Sequence, residues 1–289
     1  MGKHLLVTVS EDGSALKGIQ FIQGFFEHRE ALHLTLFYTA PKPRMVWIDG
    51  EFFEAMSEFD HTVHQVRKVG RKSLDAALAL LAECGFSDGQ VNSRLRLREV
   101  STAKDILGEG EKKQYDAIVL GRRGAHRLQE LVEASVTEQL LDRQLTVPLW
   151  ICREPAPGRR NVLLCLDGSE ASLRMVDHVG CMLADEPVHG LSLLHVSGNG
   201  LFTAASTASI YAQAREILVQ NGVDESRINE VHVEPASVSG AIIAEVRAGN
   251  YAVVATGSAG RGPLGRAFLG SVVRDLMARL TGAVLWVSA

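Results

Sequence analysis

Residues 256–276, TGSAGRGPLGRAFLGSVVRDL, follow the apolar run YAVVA at 251–255 and lead into a segment of helical character. A glycine-rich loop between a strand and a helix suits an anion, because backbone N–H groups and the positive end of the helix dipole converge there. Arg261 and Arg266 lie inside the loop and could balance the charge of a polyphosphate. Three spacings compete for the glycines. Gly260, Gly262 and Gly265 satisfy G-x-G-x-x-G, a weak pattern in a chain with 27 glycines. A dinucleotide fingerprint should also open the first βαβ unit and be followed about 20 residues on by an acidic strand end. Here the loop lies late in the chain, and the next strand ends in Ser288-Ala289. A phosphate loop with Gly-Lys-Ser/Thr fails because Gly265 is followed by Arg266-Ala267. The third spacing, Gly257-x2-Gly260-x9-Gly270-Ser271, is met without a mismatch.

An internal repeat supplies the elements that position this loop. Residues 115–141 match 251–277 at an offset of 136: tyrosine, strand, Gly-x-x-Gly, nine residues, a small residue, Ser-Val, helix. Residues 4–19 match 161–176 at an offset of 157. The difference implies about twenty residues inserted in the first copy after its second strand, around 40–60. Residues 153–160, REPAPGRR, have a linker's composition. Two domains are therefore expected, 1–153 and 159–289. In the second copy, short apolar runs at 162–166, 188–196, 229–234, 251–256 and 283–287 alternate with helical segments such as 172–184 and 208–220. That alternation predicts an α/β fold of two doubly wound domains, each a five-stranded parallel sheet with helices on both faces.

Bulk properties narrow the function. Hydrophobic content of 46%, charged content of 22% and a net charge of −4 describe a globular protein with no overall basic footprint for nucleic acid or anionic lipid. No apolar run reaches the ~18 residues of a membrane span, and the first apolar run is too short for a signal peptide, so cytoplasmic localisation is the expectation. Cys84, Cys152, Cys165 and Cys181 show neither C-x-x-C nor zinc spacing with the scattered histidines, so no metal site and no disulfide is expected. No nucleophile signature is present.

The duplicated organisation and the Gly257–Ser271 spacing resemble the universal stress protein family in its tandem two-domain form. The resemblance implies strand order 3-2-1-4-5, which puts the ends of strands one and four at one crevice. It implies ATP as ligand, with ADP or AMP as alternatives and magnesium as a companion. The backbone around Cys165, Leu166 and Val196 would line the adenine slot, with Asp167 beside base and ribose. Thr256, Gly257, Gly260, Arg261, Arg266, Gly270, Ser271 and Val272 would hold ribose and phosphates, the glycines by admitting close backbone approach and the helix start by its N–H groups. Plainer readings stand beside these: glycines that only make turns, Asp167-Gly168-Ser169 as a helix cap, and His195-Val196 as packing residues.

The first copy departs from the pattern. Ser10 replaces Asp167, Ala134 replaces Gly270, and Glu130 stands where Arg266 stands, while Gly121, Gly124 and Ser135 persist. A structural partner that has lost its nucleotide is expected there. The favoured function is a stress-response protein whose second domain binds an adenine nucleotide and presents a surface to an unidentified protein partner. The alternatives are a slow ATPase or ATP-consuming enzyme, and a nucleotide-free interaction module using the insertion with Trp47, Phe52, Phe53 and Phe59. No general base or phosphate-loop lysine favours the enzyme. The resemblance implies that the final strands, at 147–152 and 283–287, pair the halves into an intramolecular pseudo-dimer, with a homodimer of chains left open.

Overall fold

The computed structural model describes residues 2–13, 16–43, 52–112, 115–121, 136–143, 145–153, 156–196, 204–233, 237–258 and 270–288. The first half runs β1 (Lys3–Val9), α1 (Leu16–Phe25), β2 (Leu32–Ala40), α2 (Phe52–Glu83), β3 (Val91–Leu97), α3 (Thr102–Lys112), β4 (Ala117–Gly121), α4 (Val136–Leu141) and β5 (Leu149–Cys152). The second half repeats the order with β6 (Asn161–Cys165), α5 (Glu170–Leu183), β7 (Leu191–Leu194), α6 (Ala204–Gln220), β8 (Ile228–Val231), α7 (Val238–Ala248), β9 (Tyr251–Gly257), α8 (Ser271–Arg279) and β10 (Val284–Ser288).

All strands join one sheet in the order β3-β2-β1-β4-β5-β10-β9-β6-β7-β8. Each half thus has the order 3-2-1-4-5, and its strands are mutually parallel. Strand registers reproduce the repeat: Leu5 faces Ala117 as Val162 faces Val253, and Ile118 faces Leu149 as Val254 faces Leu285. Leu34 faces Val91 as Leu191 faces Ile228, so the offset falls from 157 at the second strand to 137 at the third. The twenty extra residues therefore lie between β2 and β3. Most of them lengthen α2, which has 32 residues against 17 in α6. Leu74, Ala77 and Leu81 of α2 are buried, while Phe59, Val63 and Val66 continue that rhythm only partly buried. A helix occupies the inserted segment from residue 52 on, with Phe59 half-buried; Trp47 and the side chains of Phe52 and Phe53 lie outside what is described.

Two apolar layers sandwich the sheet. One holds Ile19 and Ile22 of α1, Leu81 of α2, and Val176 and Val179 of α5. The other holds Ile106 of α3, Ile243 of α7 and Leu276 of α8. Both have the i, i+3, i+4 spacing of amphipathic helices on a sheet buried on both faces.

β5 and β10 pair antiparallel, with Trp286 opposite Trp150, and this joins the halves as the family resemblance implied. The two indoles stack with centroids 4.0 Å apart and planes at 3°. Both are fully buried. They occupy equivalent positions in the repeat, so the pseudo-twofold relating the halves passes between them. The surroundings are not symmetric. Trp150 Nε1 donates to His178 Nε2 at 3.0 Å, whereas the place corresponding to His178 beside Trp286 is held by Phe21, edge-on at 6.3 Å. Trp286 Nε1 has no hydrogen-bond acceptor among the described residues. Burial drives the His178 pKa down to about 3. Elsewhere along the seam, the buried Glu186 carboxylate accepts from the backbone N–H groups of Glu27 (2.9 Å) and His28 (3.0 Å), capping the chain as it leaves α1 of the other half.

Candidate functional site

The connection after β6 leads to α5, in the first apolar layer, and that after β9 leads to α8, in the second. The connections after these neighbouring strands therefore leave for opposite faces of the sheet, the switch point at which ligands enter doubly wound sheets. Cys165 pairs with Thr256 at its floor. The Leu166 N–H donates to Leu194 O at 2.8 Å, tying the chain to β7 beyond the end of β6. His195 Nδ1 lies 2.7 Å from Leu166 O, and its own N–H donates to Tyr211 Oη at 3.0 Å. His195 thus serves as a brace between strand ends. Val196, half-buried beside it, packs on the second apolar layer. Burial pushes the Cys165 thiol up to about 12, so it stays protonated and unreactive.

Asp167 follows directly. Its Oδ1 accepts from the Ser169 N–H at 2.9 Å and from the Ser169 hydroxyl at 2.6 Å, closing a turn through Gly168 at φ 72°. Ser169 Oγ then accepts from the Ser172 N–H at 3.2 Å as the N-cap of α5. The capping reading of Asp167-Gly168-Ser169 therefore holds, with Ser169 as the cap and Asp167 orienting it. This local turn engages one carboxylate oxygen of a half-buried side chain at the crevice mouth.

The glycine loop begins at Gly257 and returns at Gly270, and its base is fastened. Ser258 N–H donates to Ser288 O at 2.7 Å, and Gly270 N–H donates to Ser258 O at 2.9 Å. Two of the loop glycines have structural roles here. A Cβ on Gly257 would lie 2.9 Å from Ala171 C and Ser172 N, so glycine admits the backbone of α5 at this position. Gly270 has φ −60°, open to any residue, and its N–H is spent on the loop base. The first N–H groups of this helix beyond it belong to Ser271, which is exposed, and half-buried Val272. Gly260, Arg261 and Arg266 lie outside the described residues. Sequence reasoning missed Ser288, whose hydroxyl donates to Ala171 O at 2.9 Å and pins α5 to the sheet behind the loop. Nothing in a terminal serine signals that role.

In the first half the same strand ends carry Ser10, exposed, and Glu11, which aligns with Gly168. Tyr38, aligned with His195, donates its hydroxyl to Glu11 Oε1 at 2.8 Å. Burial and the adjoining carboxylate raise the phenol well above its ordinary range. Of the loop residues there, only Gly121 lies within the described segments; Gly124, Ala134, Ser135 and Glu130 do not.

Among the described residues no group of His, Cys, Asp and Glu could hold a metal ion, all four cysteines are free thiols, and no helix is long and apolar enough to cross a membrane.

Two copies of one doubly wound α/β unit, each with a crevice at its switch point and joined edge to edge, define a tandem two-domain α/β protein. The chain belongs to the universal stress protein family, whose model matches residues 1–153 and again 158–288. A universal stress protein from Archaeoglobus fulgidus DSM 4304 superimposes with a TM-score of 0.67 at 18% identity, covering 99% of this chain and 97% of that one. A functionally unknown protein from Pseudomonas aeruginosa PAO1 gives a TM-score of 0.58 at 16% identity, covering 99% and 92%. No curated protein matches the sequence.

Proposed function

We propose that the protein binds one adenine nucleotide, ATP in the first instance and ADP or AMP as alternatives, in the crevice of its second domain, and that it acts in the cytoplasm as a nucleotide-dependent regulatory module of the stress response. The supporting observation is the convergence of Cys165, Leu166 and Asp167 with Thr256, Gly257 and the fastened Ser258–Gly270 base at one switch point. The base would enter against the backbone of Cys165, Leu166 and Val196. Asp167, with one oxygen turned to Ser169, would keep the other for a ribose hydroxyl. The phosphates would meet the N-terminus of α8 through the N–H groups of Ser271 and Val272 and the Ser271 hydroxyl, with Gly260, Arg261 and Arg266 supplied by the loop and magnesium as an accompanying ion. The domains are assigned as 1–153 and 159–289.

Occupancy of one site per chain follows from the first half's chemistry. Its crevice presents Glu11 where the second presents Gly168, and a carboxylate facing a polyphosphate is repulsive. Titration calorimetry of the full chain with ATP tests this. One site is expected, abolished by Gly270→Glu, which puts a negative charge at the start of α8. Two equivalent sites would overturn single occupancy, and unchanged affinity in that variant would remove the second crevice from the assignment.

A further inference from the structure

Helix α2 carries a feature that neither the nucleotide crevice nor the seam uses. Arg67, Lys68, Arg71 and Lys72 are all exposed on two consecutive turns. They lie on one flank of the helix with His64 and Asp75, along a cavity of about 590 Å³. Among the described residues none of the four cations forms an ion pair within 4.0 Å, although the rest of the surface pairs many of its arginines, as in Arg94–Glu109, Arg215–Glu230 and Arg274–Asp142. Even Asp75, four residues beyond Arg71 and at pairing distance in sequence, makes no bridge to it among the described residues.

The repeat supplies an internal control. α2 and α6 align at an offset of 137, both ending shortly before a glycine with positive φ, Gly85 and Gly222. Their buried positions correspond: Leu74 with Tyr211, Ala77 with Ala214, Leu81 with Leu218. Core packing therefore dictates the inward stripe of both helices. The flank is free to differ, and Arg67, Lys68, Arg71 and Lys72 are matched by Ala204, Ala205, Ala208 and Ser209. Helix formation needs no cations there, since alanine is the better helix former.

Unpaired among the described residues, these four cations make a local positive patch on a chain of net charge −4, and such a patch complements an anionic partner. Arg67–Arg71 and Lys68–Lys72 are i, i+4 pairs, repeating about every 6 Å along the axis. An acidic helix presents carboxylates at that same repeat, and arginine pairs with carboxylates through two parallel hydrogen bonds. Duplex nucleic acid carries a charge every ~1.7 Å, so two turns of helix would neutralise only a few phosphates while the acidic remainder of the chain repelled the rest. We propose that this flank of α2 is a docking surface for an acidic helical segment of a partner protein.

The test is fluorescence anisotropy of the full chain with a labelled helical peptide bearing glutamates at i and i+4 on one face. Single-stranded and duplex oligonucleotides of equal charge serve as competitors. Binding at low salt is expected to weaken as ionic strength rises. It should fall at least about tenfold in the variant Arg67→Gln, Lys68→Gln, Arg71→Gln, Lys72→Gln, which keeps helix propensity and exposure. The double variant Arg71→Glu, Lys72→Glu gives a second reading should the quadruple one not fold. ATP titration should be unchanged in both, which separates this surface from the nucleotide assignment. Absence of peptide binding at low salt, binding indifferent to the substitutions, or tighter binding of either oligonucleotide would overturn the proposal.

Discussion

Acid should loosen the seam between the halves through one histidine. His178 is buried and accepts from Trp150 Nε1, and burial holds its pKa at about 3. Unfolded, the same imidazole titrates near 6.5. A group whose folded pKa is depressed contributes stability that is present above the unfolded pKa and is lost as pH falls toward the folded one. The window is therefore pH 6.5 down to about 3. Within it the unfolded chain binds one proton that the native chain does not, and each pH unit costs about 1.4 kcal/mol, or roughly 2 kcal/mol by pH 5. His178→Gln keeps an acceptor for the indole but does not titrate. His178→Phe copies Phe21 on the other side of the pseudo-twofold and leaves a second indole N–H without an acceptor, at about 1–3 kcal/mol. Urea unfolding at pH 7.5, 6 and 5, followed by tryptophan fluorescence, measures all three proteins. The native protein should lead His178→Phe at pH 7.5 and lose most of that lead by pH 5, and His178→Gln should show a flatter pH slope than the native chain. A stability difference that stays constant across the range would refute the reasoning.

Three further outcomes follow from packing and from the site. Gly257→Ala should lower stability by about 1–3 kcal/mol, because its Cβ would lie 2.9 Å from backbone atoms of α5 that cannot rotate away; thermal unfolding without nucleotide checks this. Glu186→Ala should remove the buried carboxylate that accepts from the part-buried N–H groups of Glu27 and His28, at about 1–3 kcal/mol, and speed their hydrogen exchange. With magnesium and ATP, phosphate release should stay below about 1 s⁻¹, since the sequence carries no general-base signature beside the loop; faster turnover in a phosphate-release assay would reassign the protein as an ATPase.

Much of the architecture was legible because duplication prints each element twice. A tyrosine, a strand and Gly-x-x-Gly recurring at a fixed offset established β4 and β9 as equivalent, and the strand registers repeat that offset. The inserted residues were legible as a change of offset, and α2 realises them. Less could be read where a residue's reason is tertiary. Gly257 and Gly270 look alike in a motif, yet one admits the α5 backbone and the other caps α8 with ordinary dihedrals. Strand ends in the second half are shorter than the apolar runs: 188–196 is such a run, but only Leu191–Leu194 is strand, with the His195 side chain bracing Leu166 just beyond it. The interplay of Trp150, Trp286 and His178 depends on strands from different halves meeting, which no local pattern encodes.

The antiparallel junction of β5 with β10 has a consequence for how such a molecule can change over time. In a symmetric pair of identical chains every substitution appears twice and must suit both sides of the axis. Here the two sides are written separately, and they have already diverged: His178 opposes Phe21, Glu186 occupies the place of Arg29, and the alanines of α6 stand where α2 bears cations. The tether at 153–160 also keeps the junction closed by intramolecular concentration, so it does not come apart on dilution as a pair of separate chains would. Each half is thereby held against the other whatever substitutions either side acquires, so the two halves can diverge without loss of the junction.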